Sequence, residues 1–141
     1  MKQEVLLSIR GCQTYPGQAP ETIELVTDGV LEEQGGGWNL SYQESDITGL
    51  EGVTTTFRVE PGKIILNREG RLRSQMVFQE GMLHESLYQM EFGTLMMAVS
   101  AKKVAYDITP SGGTVDLQYA IEIEQSMAGM VDYHLDIKVK N

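Results

Sequence analysis

The segment Val53-Thr54-Thr55-Thr56-Phe57-Arg58-Val59-Glu60 alternates apolar and polar residues. Pro61-Gly62-Lys63 then turns the chain, Ile64-Ile65-Leu66-Asn67-Arg68 runs back, Glu69-Gly70 turns it again, and a further alternating run extends from Leu72 to Phe78. Short alternating runs that end in glycine-containing turns are typical of antiparallel strands joined as a meander. The segment therefore predicts consecutive strands of one antiparallel sheet.

The same period of two extends through most of the chain. The apolar faces of its clearest runs are Val5, Leu7 and Ile9; Ile23, Leu25 and Thr27; Trp38, Leu40 and Tyr42; Val115, Leu117, Tyr119, Ile121 and Ile123; and Val131, Tyr133, Leu135, Ile137 and Val139. Between the runs we predict a loop from Gly11 to Pro20, a bend at Asp28-Gly29, a hairpin tip at Gly35-Gly36-Gly37, a turn or bulge at Gly49 to Gly52, and turns over 110–113 and 125–129.

The run from Met82 to Phe92 suits two secondary structures. Leu83, Leu87 and Met90 have helical spacing, whereas a strand places His84, Ser86 and Tyr88 on one face. We predict the strand, because a single short helix between meander strands is the less economical topology.

These patterns predict an all-β chain of about eight to ten strands, each with one apolar face that needs a shared interior. A sandwich or a closed barrel would supply that interior. The meander connections favour a single antiparallel, mostly up-and-down β-barrel, because closure removes exposed edges. We expect residues 1–141 to form this one domain.

Charge and cysteine content limit the function classes. The chain has 20 acidic and 11 basic residues and a net charge of −9, which disfavours binding to nucleic acid or to an anionic membrane surface. Cys12 is the single cysteine, so no internal disulfide forms. The first apolar run is too short for a signal peptide, and no stretch approaches the ~20 apolar residues of a membrane span. We therefore expect a cytoplasmic location.

At several residues the sequence resembles a family of small bacterial proteins known as YwiB-like. They are Leu40-Ser41-Tyr42-Gln43-Glu44, Thr48-Gly49-Leu50-Glu51-Gly52 with Thr54-Thr55-Thr56, and the single matches Leu66, Arg68, Gly70, Phe78, Gly81, Tyr88, Gly93, Gly113 and Tyr119. The resemblance covers Trp38 to the C-terminus and implies a calycin-type, lipocalin-like β-barrel, a fold associated with holding small molecules. It implies no particular activity. Where such proteins tend to have Tyr-x-Thr-Pro-x-Gly, this chain has Tyr88-Gln89-Met90-Glu91-Phe92-Gly93, so a site built on that proline bend is not expected.

Arg68 is the main candidate binding residue, because it shares a strand face with Ile64 and Leu66. If that face is the interior, the guanidinium needs an anion or several acceptors. Tyr42, Tyr88 and Tyr119 also lie on predicted inward faces and could supply hydroxyls for a ligand carboxylate. In the alternative, Ile65 and Asn67 point inward, or Arg68 reaches the rim and pairs with Glu51 or Glu44.

Two histidines offer weaker candidates. His84 shares a strand face with Ser86 and Tyr88, but no acidic residue on that face completes a catalytic triad. Asp132, His134 and Asp136 alternate along the last strand, where a solvated polar face is the simpler interpretation than a metal site. We predict no metal and no cofactor.

These residues and the predicted barrel suggest three candidate functions. The first is a non-enzymatic barrel that holds a small amphiphile through Arg68, the three tyrosines and His84. An anionic head group on that amphiphile would suit Arg68. The second is a solid barrel that meets an acidic protein partner through the exposed strip Arg71 and Arg73, in a locally basic segment. The third is an enzyme with its site in the barrel mouth, for which the spacing supplies no catalytic group. The sequence predicts no oligomeric state.

Overall fold

The computed structural model describes residues 2–45, 50–91, 93–124 and 126–140, and these residues form ten β-strands. The strands are β1 (Lys2–Thr14), β2 (Glu21–Gln34), β3 (Gly37–Gln43), β4 (Thr54–Glu60), β5 (Lys63–Glu69), β6 (Ser74–Phe78), β7 (Leu83–Met90), β8 (Gly93–Thr109), β9 (Gly112–Ile123) and β10 (Ser126–Val139). Thr48, Gly49, Phe92 and Gln125, which entered the sequence predictions above, lie outside the described residues. None of the described residues belongs to a helix that could cross a membrane.

The strands form one up-and-down barrel. Successive strands pair antiparallel from β1 to β6 and from β7 to β10, and β1 also pairs with β10. The remaining seam, between β6 and β7, is closed by a bridge in which Arg73 and Gln89 exchange two backbone hydrogen bonds of 2.8 Å. The predicted all-β, mostly up-and-down barrel is therefore confirmed.

The apolar face of each strand points into the barrel interior. Leu7, Leu40, Phe57, Val115 and Leu135 are almost completely buried, and in each strand the next residue along is more exposed. Since successive side chains on a strand point to opposite faces, the period of two in the sequence separates interior from exterior. The predicted inward faces of these strands are confirmed.

The segment 83–90 is a strand, as predicted. Its ambiguity in the sequence has a structural cause, because Leu83 and Leu87 lie on the outer face and are about half exposed. Apolar residues on both faces remove the alternation that identifies a half-buried strand.

Some predicted boundaries are wrong. The loop starts later than Gly11, since β1 continues to Thr14 and Gly11 pairs with both Ile23 and Tyr133. The last strand begins at Ser126 instead of after Gly129. β2 passes Asp28-Gly29 without interruption, which agrees with the continuation that the sequence predicts over 30–33. Gly11 has backbone partners in both β2 and β10, and Ser126 pairs with Ile123 of β9. This pairing overrides the local tendency of glycine to end a strand.

A β-bulge in β8 keeps its apolar residues inside. The register with β9 shifts between Ala101 and Lys103. Before the shift Met97 and Val99 point inward, and after it Val104 packs against the core, so the inward positions change from odd to even numbers. One extra residue in a strand has this effect on side-chain direction.

Candidate functional site

A row of polar side chains crosses the inner surface of four adjacent strands. Tyr42 on β3 is paired with Thr55 on β4, Thr55 with Arg68 on β5, and Arg68 with Ser74 just across on β6. Thr55 is completely buried, and Tyr42 and Ser74 are 6% and 7% exposed. Directly paired residues on one face of a sheet have Cβ atoms about 5 Å apart. The strand register therefore assembles a contiguous polar band in an otherwise apolar interior.

Arg68 points inward and pairs with a buried carboxylate. It follows Ile64 and Leu66 on the inner face of β5, both of which are buried, and its own side chain is 21% exposed. Its Nε lies 3.9 Å from Oε2 of Glu44, whose side chain is 1% exposed. The same Glu44 oxygen accepts a hydrogen bond from the Thr55 hydroxyl. Arg68 thus enters the interior and also pairs with one of the two glutamates named from the sequence.

Glu44 is held in place by its backbone. Its N–H donates a 2.8 Å hydrogen bond to the carbonyl of Val53, just before β4 begins. This bond continues the pairing of β3 and β4 by one step beyond Gln43 and Thr54. The carboxylate is therefore positioned at the inner surface by an extension of the sheet.

Two tyrosines from the facing part of the barrel complete the site. Tyr119 on β9 packs against Phe78, with ring centroids 4.6 Å apart, and Tyr133 on β10 packs against Phe57 at 5.8 Å. Burial raises the pKa of Tyr119 to about 12 and raises the pKa of Tyr133 well above its usual value. Burial, together with the Glu44 charge, also raises the pKa of Tyr42. All three phenols are therefore protonated at neutral pH and can donate hydrogen bonds.

These residues line a cavity of about 240 Å³ inside the barrel. Its polar wall contains Arg68, Glu44 and the three tyrosines, and the remaining wall is mainly apolar, with Ile9, Leu25, Leu50, Met76, Ile121 and Val131. Arg68 Nε is buried and has no hydrogen-bond partner among the described residues, whereas the Tyr133 hydroxyl interacts with that of Tyr42. Buried polar groups normally have partners, so an unsatisfied guanidinium nitrogen beside a cavity marks a place suited to a bound molecule.

The sequence candidates separate into two groups. Arg68, Tyr42 and Tyr119 meet at the cavity. Tyr88 and His84 do not line it: Tyr88 packs against the core, and His84 Nε2 lies 3.1 Å from Oε1 of Gln79. Tyr88 and His84 lie on the predicted face of β7, but that strand is on another part of the barrel wall.

Two residues of the site were not among the sequence candidates for ligand binding. Tyr133 lies on the inward face predicted for the last strand, so alternation could have included it. Glu44 was considered only as a surface partner of Arg68, because it follows the last alternating residue of β3 and no period places it inside.

The basic strip Arg71 and Arg73 lies on the exterior, as predicted. Both residues are exposed. The Arg71 Nε donates a 2.7 Å hydrogen bond to the carbonyl of Glu51, and the Arg73 backbone closes the barrel seam. A role of this strip in binding an acidic partner stays a prediction.

His134 lies in a cluster of carboxylates on the outer surface. Its Nδ1 is 2.6 Å from Asp116 on β9, and its Nε2 is 3.0 Å from Asp136 on its own strand. Asp132, the third residue of the predicted polar face, is exposed nearby. Within the described part of the chain, no group of three or more ligating side chains has an arrangement that could hold a metal ion.

We expect the pKa of His134 to lie above its ordinary value, first because of the hydrogen bond to Asp116 and further because of Asp136. A raised folded-state pKa means that the charged pair stabilises the fold below the unfolded-state pKa of about 6.5 and that this contribution is lost as pH rises through the folded pKa. NMR titration should show a lower pKa in Asp116→Asn and an unchanged one in the matched variant Asp132→Asn. Equal titration curves in the wild type and Asp116→Asn would contradict the contact.

The fold and interior define a class: a ten-stranded up-and-down β-barrel with a polar band and a small cavity inside. Residues 7–137 match a family described as "Domain of unknown function (DUF1934)", and the chain belongs to this family. A protein of Bacillus subtilis (strain 168), "Uncharacterized beta-barrel protein YwiB", is 27% identical over 125 residues, which are 87% of this chain and 86% of that protein.

A solved structure supports the same fold. The crystal structure of ywiB protein from Bacillus subtilis has a TM-score of 0.89 and covers 99% of this chain and 94% of its own, at 21% sequence identity. The resemblance noted in the sequence is thereby confirmed at the level of family and barrel.

Proposed function

We propose that this protein is a non-enzymatic binding module that holds a small molecule, with an apolar body and a polar head, in the cavity beside Arg68. The observation that carries the proposal is the buried, unsatisfied Nε–H of Arg68, at a cavity whose other walls are mainly apolar. A few convergent polar groups in an apolar cavity are typical of ligand sites. Binding inside the barrel in a lipocalin-like manner, in the cytoplasm, is part of the same proposal.

The size of the cavity limits the ligand. Water in the liquid occupies about 30 Å³ per molecule, so a cavity of about 240 Å³ has room for roughly eight waters or a similar number of non-hydrogen atoms. This is below the usual range for drug-sized ligands, which starts near 300 Å³. The proposed ligand is therefore a small molecule, or a larger one of which the head and first few carbons enter the barrel.

The test is native mass spectrometry of the protein purified under non-denaturing conditions, together with melting curves in a panel of small amphiphiles. We expect a retained small molecule or a raised melting temperature in the wild type. Val131→Phe should abolish the effect, because Val131 lines the cavity and is 7% exposed. The added ring volume costs about 1–3 kcal/mol of stability, so folding of the variant is checked by circular dichroism.

The matched control is Val26→Phe, the same change at a position that is 63% exposed on the outer surface. It should bind as the wild type does. A wild-type protein that retains nothing and is stabilised by no member of the panel contradicts the proposed function.

A further inference from the structure

We infer that the head group of the ligand is an uncharged hydrogen-bond acceptor, such as an amide, ester or ketone carbonyl, and that the site selects against carboxylates. The inference rests on the proposed function and specifies its ligand class. It replaces the anionic head that the sequence suggested, because the sequence did not show where Glu44 lies.

The charge of Arg68 is already compensated inside the barrel. Among the described residues that line the cavity, Arg68 and Glu44 carry the only charges, and they form an ion pair at 3.9 Å. Glu44 is more deeply buried than Arg68, with side-chain exposures of 1% and 21%. The polar wall of the cavity therefore has no net charge to offer to an anion.

The unsatisfied group left to recognise a ligand is a donor. The distance from Arg68 Nε to Glu44 is too long for a hydrogen bond, so this N–H has no acceptor among the described residues. The raised pKa of Tyr133 keeps the proton on its oxygen, and this hydroxyl interacts with Tyr42. A ligand carbonyl oxygen could accept from the Arg68 Nε–H, while its alkyl chain contacts the apolar wall.

An anionic head is disfavoured by two costs. A carboxylate loses its hydration on entering the barrel, and its charge lies near the buried carboxylate of Glu44. Two carboxylates that share a site cannot both ionise freely, and one of them takes up a proton. A neutral amide has a much smaller desolvation cost and no repulsion from Glu44.

The inference is tested with hexanamide and hexanoate, two probes of equal heavy-atom count that fit the cavity. Proton–nitrogen NMR titrations at neutral pH give the Kd of each for the intact protein. We expect hexanamide to bind at least about tenfold tighter, the factor that corresponds to one pKa unit of repulsion between carboxylates. Glu44→Gln removes the buried negative charge, so hexanoate should gain about tenfold in affinity and the preference should disappear or reverse.

Glu69→Gln is the matched control, since it removes the same charge from an exposed residue adjacent to Arg68 in the chain; it should leave the ratio of the two Kd values unchanged. If Glu44→Gln does not fold, the ratio of the two Kd values measured for the wild type tests the inference by itself.

Equal or tighter binding of hexanoate to the wild type overturns the inference and leaves the proposed function intact. If neither probe shifts the signals of cavity residues, the inference is also overturned, and the comparison of Val131→Phe with Val26→Phe then shows whether the proposed function is overturned with it.

Discussion

Replacement of Arg68 by methionine is expected to lower the free energy of unfolding by about 3 kcal/mol. Breaking a buried ion pair by removing one partner costs about 3–5 kcal/mol, because the other charge stays buried without compensation. Glu44 is that other charge here, with a side chain that is 1% exposed. We place the effect at the lower end because the Arg68 side chain is 21% exposed and Thr55 still donates to the carboxylate. Urea unfolding followed by circular dichroism measures it.

Two controls make this result specific to the buried pair. Arg10→Met removes the same side chain from an ion pair with Glu24 whose partners are 69% and 71% exposed, and we expect a change below about 1 kcal/mol. The double variant Arg68→Met/Glu44→Gln removes both charges and should be more stable than Arg68→Met alone. A double variant that loses the sum of the two single losses would contradict the coupling between Arg68 and Glu44.

Leu117→Ala is expected to cost about 2–5 kcal/mol, because truncation of a buried leucine loses transfer free energy and leaves a cavity. Leu117 is 2% exposed on the inner face of β9. The matched variant Leu83→Ala makes the same change on the outer face of β7, where the leucine is 56% exposed, and should change stability by no more than about 0.5 kcal/mol. Equal losses for the two variants would mean that the inner and outer faces are wrongly assigned.

Side-chain direction was the part of the fold that could be predicted from sequence. Alternation needs only the identity of neighbouring residues, and it correctly placed Leu117 and Leu135 inside and Arg71 and Arg73 outside. Strand ends and bulges were predicted less well. The extension of β1 to Thr14 depends on partners from β10, which is distant in the chain. The bulge after Ala101 depends on the register with the next strand, β9, which alternation within β8 does not contain.

The site was predicted only in part, for a related reason. Alternation gives the face on which a residue lies but neither its height along the barrel nor its position around it. Tyr88 and Tyr119 both lie on inward faces, yet only Tyr119 reaches the cavity beside Arg68. The polar band of Thr55, Arg68 and Ser74 depends on strand register. The lengths of the turns determine this register, and the alternation of apolar and polar residues carries no information about it.

We expect the small molecule to bind inside the barrel against the unsatisfied Nε–H of Arg68. Arginine side-chain proton–nitrogen spectra test it most directly, with the Arg68 signal assigned by its loss in Arg68→Met and followed as hexanamide is added. We predict that this signal moves and saturates together with the backbone signals of cavity residues such as Val131. An Arg68 signal that stays fixed while hexanamide shifts other parts of the protein would contradict this binding mode.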